Sequence, residues 1–113
     1  MTTDVYISIT GLTVRRPWHT PIFWALAVQS MMQAREADGN LSADARTIDG
    51  VHHTLSVWTD QAAMRAYLTT GAHLKAMRRF SSIATGKVVG YMTAQVPDWA
   101  DVPAIWRDRG RAV

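Results

Sequence analysis

The order of its periodic segments constrains the fold of this chain more than any other feature of the sequence. Residues 5–10, VYISIT, alternate aliphatic side chains with hydroxyl or aromatic ones, which is typical of a half-buried β-strand. Further strands are predicted at about 43–49, 51–58 and 87–96. Apolar spacings of three and four predict helices at about 20–37, 60–68 and 72–84. The predicted order is therefore strand, helix, strand, strand, two consecutive helices, strand.

This order is that of a ferredoxin-like βαββαβ fold in the α+β class, with an antiparallel sheet. The turn sequence Asp49-Gly50 favours a hairpin between the second and third strands. An apolar fraction of 48% over 113 residues suits one packed core. We therefore predict a single domain spanning residues 1–113, with its core at about 5–96. The C-terminal segment, 97–113, is expected to fold back over exposed apolar surface.

The parity of the strand residues predicts which side chains share a face of the sheet. One set is mainly aliphatic and consists of Val5, Ile7, Ile9, Val51, His53, Leu55, Val57, Val88, Gly90, Met92, Ala94 and Val96. The other set mixes hydroxyl and aromatic side chains and consists of Tyr6, Ser8, Thr10, His52, Thr54, Ser56, Trp58, Val89, Tyr91, Thr93 and Gln95. We expect the aliphatic set to face the helices. The second set would then be covered by the same face of another subunit, which predicts a homodimer.

The composition argues against several kinds of site and partner. The chain has no cysteine, which excludes disulfides, thiol catalysis and thiolate-bound metals. Its most apolar segment, 22–28, is too short to span a membrane, and the N-terminus lacks the features of a signal peptide. A cytoplasmic protein without membrane insertion is therefore predicted. The net charge of +3 arises from scattered basic residues, which favours solvated surface over binding of nucleic acid.

Two histidines are candidates for chemistry. His73 is spaced by three and four residues from the apolar positions of its helix, including Met77 and Phe80, so its ring is expected on the buried side. By strand parity His53 is expected to face the same space. These residues and Trp24 predict a cavity between sheet and helices. His73 and His53 would act there as acid/base groups or axial ligands, and Trp24, Met77 and Phe80 would contact the substrate.

Trp58 and Tyr91 are the remaining substrate-binding candidates, since each is an aromatic side chain near an end of its strand that could contact a planar molecule. A structural alternative stays open, in which each histidine ring donates a hydrogen bond to a backbone carbonyl inside an ordinary core. His52 and His53 are adjacent on a strand and point to opposite faces, so they cannot bind one metal ion together. No metal site is predicted.

The run HHTLSVWTDQAAMRAYLTTGAHLKAMRRF carries a resemblance to known proteins. With the order of the elements, it resembles the dimeric α+β barrel superfamily, and within it the antibiotic biosynthesis monooxygenase group and the spheroidene monooxygenase-like proteins. The strand, Trp, Thr, Asp and Tyr pattern at residues 55–67 and the sequence Gly71-Ala72-His73 carry the likeness, which covers residues 5–96. The superfamily contains oxygenases without cofactor, haem-binding and haem-degrading enzymes.

Two functions follow from this resemblance as hypotheses. The first is a small monooxygenase-like enzyme acting on an apolar or aromatic substrate in a pocket between sheet and helices. The second is a non-catalytic protein that binds a small ligand, such as haem, or acts as a dimeric interaction module. The resemblance implies either no required cofactor or haem bound through His73. Haem-degrading members carry their axial histidine in a pattern close to Phe-Lys-x-Ala-His, where this chain has Met77 in place of the histidine.

Overall fold

A computed structural model describes residues 4–69 and 71–112, apart from the side chains of residues 71–73 and 76. Its strands are β1 (Val5–Val14), β2 (Asn40–Ile48), β3 (Val51–Trp58), β4 (Ala84–Thr93) and β5 (Arg111–Ala112). Its helices are α1 (Thr20–Glu36), α2 (Gln61–Leu68), α3 (Gly71–Ile83) and α4 (Val102–Arg109), and a short 3₁₀ turn, Pro17–His19, precedes α1. The strands form one antiparallel sheet in the order β2-β3-β1-β4-β5. The first four strands confirm the predicted ferredoxin-like α+β fold.

Local sequence signals account for several of the element ends. The β2–β3 hairpin turns at Asp49 and Gly50, whose φ angles of 51° and 78° suit a tight two-residue turn. Helix α2 begins after Asp60, whose carboxylate accepts a hydrogen bond of 2.8 Å from the Ala63 amide. The last long strand ends three residues earlier than predicted, because the Thr93 hydroxyl bonds the amide and carbonyl of Gln95 and turns the chain.

The predicted assignment of the two sheet faces is wrong. The aliphatic side chains of the sheet pack against the C-terminal helix α4, whose Val102 is fully buried among them. This core cluster consists of Ile7, Ile9, Leu55, Val57, Val89 and Val102. Parity shows which side chains share a face, but it does not show which layer covers that face. The C-terminal segment covers apolar surface as predicted, and it takes the aliphatic face.

The predicted parity of β4 is also wrong. Val89 pairs with Ile9 and Tyr91 with Ile7, so these two β4 residues lie on the aliphatic face. The neighbours Val88 and Val89 are both apolar, and their composition does not decide between the two registers. Gly90 consequently lies on the other face, where any larger side chain would overlap the hydroxyl of Tyr6.

The polar and aromatic face lies under helices α1, α2 and α3. A second core cluster contains buried Ala34 of α1, Trp58 of β3 and Tyr67 of α2. Because helices of the same chain cover this face, it is not the surface for another subunit that we predicted. Among the described residues, no helix is both long enough and apolar enough to cross a bilayer.

Helix α4 is held against the sheet by Trp106. Its indole Nε1 donates a hydrogen bond of 2.9 Å to the Lys87 carbonyl, and its ring lies beside that of His53, with 4.9 Å between centroids. The ring fits there because β1 has a glycine at position 11. A β-carbon at Gly11 would overlap the Trp106 ring and would lie 2.8 Å from Nδ1 of His53.

We expect Gly11→Ala to lower the free energy of unfolding by about 1–3 kcal/mol, because the added methyl forces Trp106 and α4 off the sheet. Urea denaturation followed by circular dichroism measures this change. Gly50→Asn is the matched control, since Gly50 has no neighbour within 4 Å and asparagine tolerates its positive φ. Equal stabilities for the two variants would contradict the close packing of Trp106 on Gly11.

Candidate functional site

A cavity of about 330 Å³ lies between the sheet and helices α1, α2 and α3. Its volume is within the range of small-molecule sites in proteins. The sheet contributes Ser8, Thr10, Leu12, Ala43, Ala45, Arg46, Thr47, His52, His53, Thr54, Ser56, Trp58, Ala84 and Val88. The helices contribute Phe23, Trp24, Ala27, Ser30, Met31, Ala34, Met64, Tyr67, Leu68, Met77, Phe80 and Ser81.

The cavity exists because the floor side chains are small. Serine, threonine and alanine occupy most of the floor positions on β1, β2 and β3, whereas the helices above present large apolar side chains. The small side chains of the sheet do not reach the helices above them, so space remains between the two layers. The alternating hydroxyl side chains Ser8 and Thr10 and their cross-strand partners Ser56 and Thr54 are the sequence signal that could have located this floor.

Four of the five predicted substrate-binding residues line the cavity. Trp24 and Met77 are each 42% exposed and lie at its mouth, Phe80 is part of its wall, and Trp58 is fully buried. The fifth, Tyr91, lies on the opposite face of the sheet. There the guanidinium of Arg109 lies 4.4 Å from the centroid of the Tyr91 ring.

The predicted position of His53 is wrong. His53 borders the cavity, and the residue is 2% exposed. Its ring points to the α4 face and packs against Trp106. Nδ1 lies 3.2 Å from the Thr10 carbonyl, and because a carbonyl only accepts, Nδ1 carries the proton and donates. Parity correctly groups His53 with Leu55 and Val57, but α4 covers that face, so the error lies in the assignment of the faces. The side chain of His73 lies outside the described residues, so its role stays a prediction.

His52 is the imidazole that faces the cavity, and the sequence analysis did not select it. Its ring centroid lies 4.8 Å from that of Phe23 and 5.0 Å from that of Trp24. Its Nδ1 lies 2.9 Å from the Thr47 hydroxyl oxygen. Burial lowers the pKa of His52, and the nearby His53 lowers it further. His52 is therefore neutral at pH 7 and can accept a proton.

Hydroxyl groups supply the other polar atoms of the site. The hydroxyls of Thr10 and Thr54 are hydrogen-bonded to each other across the floor. On the helix side, the Tyr67 hydroxyl donates a 2.8 Å hydrogen bond to the Ser30 carbonyl. Burial raises the pKa of Tyr67 to about 12, so it remains a protonated phenol. Within the described residues, the buried Ser30 hydroxyl has no hydrogen-bond partner.

Trp58 closes one end of the cavity. Its ring stacks on that of Tyr67, with 5.2 Å between centroids and 28° between planes. Its Nε1 donates a 2.9 Å hydrogen bond to the Ser56 hydroxyl, which satisfies the one polar atom of the indole. Trp58 therefore contacts both a floor residue, Ser56, and a residue of α2, Tyr67.

The described residues offer little to hold the carboxylates of haem. A haem site needs an axial ligand, and the two carboxylates of haem are best held by cationic side chains. Arg46 is the one lysine or arginine among the described cavity residues, and its guanidinium packs 5.0 Å from the centroid of Trp99 on the opposite face. Haem was predicted to bind through His73, whose side chain lies outside the described residues, so haem binding stays a prediction.

We expect the free energy of unfolding to be constant between about pH 7 and pH 8 and to fall as the pH is lowered through 6.5. Burial is the main cause that lowers the pKa of both His52 and His53 below the 6.5 of an unfolded chain. Between 6.5 and those lowered values the unfolded chain binds protons that the folded chain does not. Each histidine therefore contributes a slope of up to about 1.4 kcal/mol per pH unit.

Urea denaturation from pH 8 to pH 5 measures this slope. His53→Gln keeps a donor for the Thr10 carbonyl but does not titrate in this range, so its slope should be smaller than that of the wild type. Parallel pH profiles for the two proteins would contradict the assigned contribution of His53.

Comparisons with known proteins show the fold of the chain. No family model and no curated protein sequence matches it. Among solved structures, it is similar to SnoaB, a cofactor-independent oxygenase from Streptomyces nogalater, with a TM-score of 0.69 and 18% identity over 84% of this chain and 99% of that one. It is also similar to a proposed antibiotic biosynthesis monooxygenase from Deinococcus radiodurans, with a TM-score of 0.73 and 18% identity over 82% and 96% of the two chains. A third similar structure, from Nitrosomonas europaea, carries the same description, with a TM-score of 0.69 and 14% identity over 81% and 90%.

Proposed function

We propose that this chain, whose fold is similar to those of the antibiotic biosynthesis monooxygenase-like proteins, is a monooxygenase of an apolar aromatic substrate. The observation that carries this proposal is the imidazole of His52, which packs against Phe23 and Trp24 in a mainly apolar cavity. A base that is neutral at pH 7 can remove a proton from a weakly acidic substrate. The apolar walls exclude water, which protects the reactive anion that forms.

The proposed reaction takes its electrons from the substrate. His52 removes a proton from an activated methylene carbon, and the resulting carbanion passes its electrons to O₂ as a new carbon–oxygen bond forms. The oxygen–oxygen bond then breaks and the carbon becomes a carbonyl. The second oxygen atom leaves as water with the two hydrogens of the methylene, one of them returned by the imidazolium of His52. The balance is R₂CH₂ + O₂ → R₂C=O + H₂O.

The remaining cavity residues bind and orient the substrate in this scheme. Phe23, Phe80 and Trp24 present aromatic surfaces to a planar ring system. Trp58 closes the cavity behind the ring system.

Oxygen transfer to anthrone tests the proposal. Anthrone is a planar aromatic ketone with one methylene made acidic by its flanking rings and by the carbonyl across the central ring. The purified protein is incubated with anthrone under ¹⁸O₂, and the product is analysed by mass spectrometry while an electrode follows oxygen uptake. We expect one ¹⁸O atom in each product molecule, at a rate well above that of the buffer blank.

The same experiment distinguishes an enzyme from a binding module. The outcome to watch for is quenching of tryptophan fluorescence without oxygen uptake. If anthrone and related aromatic compounds with an activated methylene give that outcome, they are ligands and not substrates. That result would reject the monooxygenase and favour a non-catalytic small-ligand protein.

We also propose that the chain forms a homodimer, and α1 supplies the supporting observation. Trp24, Val28 and Met32 are spaced by four residues and form an apolar stripe on that helix, with exposed fractions of 42%, 55% and 57%. Exposed apolar stripes of this kind are typical of interaction surfaces. A two-fold axis would pair the stripe with itself.

We expect light scattering after size exclusion to give about twice the 12.6 kDa of one chain for the wild type. Val28→Glu should reduce the mass to that of one chain, because it places a charge in the middle of the stripe. Gln61→Glu adds the same charge on the exposed start of α2 and should leave the mass unchanged. A wild-type mass of one chain would reject the homodimer, and a dimer that survives Val28→Glu would reject this surface.

A further inference from the structure

Thr47 and His52 face each other across the β2–β3 hairpin. The turn at Asp49 and Gly50 sets the register, which makes Thr47 and His52 direct cross-strand partners on the cavity side. The Thr47 hydroxyl oxygen lies 2.9 Å from Nδ1 of His52, which is hydrogen-bonding distance. Phe23 packs against the same imidazole, so the ring is held by one polar contact and by aromatic packing.

A threonine hydroxyl can donate to Nδ1 or accept from it, and the two arrangements have different consequences. If the hydroxyl donated, Nδ1 would lack a proton and the neutral ring would carry its proton on Nε2. The hydroxyl would then have to rotate whenever the ring became an imidazolium, because both nitrogens of an imidazolium are donors. If the hydroxyl oxygen accepts from Nδ1–H, the same hydrogen bond persists in both protonation states, and Nε2 is free to take a proton.

We propose that Thr47 is a positioning residue for His52: its hydroxyl oxygen accepts a hydrogen bond from Nδ1–H, fixes the ring, and leaves Nε2 as the atom that takes the substrate proton. This inference rests on the proposed monooxygenase function, since it assigns a role in the proton transfer. The statement about the tautomer concerns the protein alone and is tested without a substrate.

The tautomer is measured by long-range ¹H–¹⁵N correlation of the histidine side chains at about pH 8, where His52 is neutral. The two ring nitrogens have different ¹⁵N shifts when one is protonated and the other is not. We expect the Nδ1–H tautomer for His52 in the wild type and a mixture of tautomers in Thr47→Val. A wild-type ring protonated on Nε2 would overturn the inference, and so would an unchanged tautomer in Thr47→Val.

The kinetic test uses anthrone as the probe. Thr47→Val removes the hydroxyl with little change in volume, and we expect kcat to fall by about tenfold with a smaller change in KM. The acid limb of the pH profile should also shift to lower pH. The imidazolium of His52 loses a hydrogen-bond acceptor in this variant, which lowers its pKa. Thr47→Ser keeps the hydroxyl and should restore most of the rate. Thr85→Val is the control at an exposed threonine of β4 that does not line the cavity.

The outcomes separate the two proposals. Wild-type turnover that is the same in Thr47→Val overturns the role of Thr47 and leaves the monooxygenase intact. No turnover by the wild type overturns the monooxygenase and with it the catalytic role of Thr47, while the tautomer measurement still decides whether Thr47 positions the ring.

Discussion

His52→Phe is expected to lower the rate of oxygen uptake with anthrone by about 10²–10⁴-fold, which is the usual contribution of a positioned general base. Phenylalanine keeps the aromatic contacts with Phe23 and Trp24 but has no nitrogen to accept a proton. Binding of anthrone should therefore change little while kcat falls. Oxygen-electrode kinetics and fluorescence titration on the same samples separate the two effects.

The adjacent histidine is the matched control for this prediction. The ring of His53 lies on the opposite face of the sheet, against Trp106, so His53→Gln should retain turnover. A large loss of rate in His53→Gln together with a normal rate in His52→Phe would show that the two faces have been exchanged. Equal rates for wild type and His52→Phe would reject His52 as the base.

Trp58→Ala is expected to lower the free energy of unfolding by about 3–5 kcal/mol, which is the range for removing a large aromatic side chain from a core. Trp58 is fully buried and stacks on Tyr67. The substitution also leaves the Ser56 hydroxyl without the indole donor. The enlarged cavity would open into the α2 wall. Urea denaturation followed by circular dichroism measures the loss.

Trp18→Ala provides the comparison, because Trp18 is 67% exposed and its removal should change the stability by less than about 1 kcal/mol. A small effect of Trp58→Ala, equal to that of Trp18→Ala, would contradict the placement of Trp58 in the second core cluster.

The order and type of the elements could be predicted because each depends on local patterns. The alternation in residues 5–10 and the Asp49-Gly50 turn both act over a few neighbouring residues, and the structure contains the strand and the hairpin that they indicate. The ferredoxin-like topology followed from the element order alone.

The coverage of the sheet could not be predicted in the same way. Which face the helices cover depends on contacts between distant segments, and a one-residue difference on a strand reverses the answer. Helix α4 lies on the aliphatic face because Trp106 fits over Gly11. That fit depends on a glycine and a tryptophan that are 95 residues apart in the sequence, and no local pattern connects them.

The same reasoning explains the result for the candidate site. Met77 and Phe80 were predicted from helix spacing to share a cavity with Trp24, and all three residues line one cavity in the structure. The histidine was misassigned because His52 and His53 are neighbours and the choice between them depended on the face of the sheet. The role of His73 stays a prediction, because its side chain lies outside the described residues. Tyr91 lies on the face covered by α4, away from the cavity.

The central claim is that an aromatic ligand binds between the helices and the polar face of the sheet. Methionine methyl groups labelled with ¹³C report on it directly, because Met31, Met64 and Met77 line the cavity whereas Met32 and Met92 are exposed and do not. Titration with anthrone under nitrogen should shift the methyl signals of Met31, Met64 and Met77 and leave those of Met32 and Met92 in place. Shifts confined to Met32 and Met92, or no shift at saturating anthrone, would contradict the account.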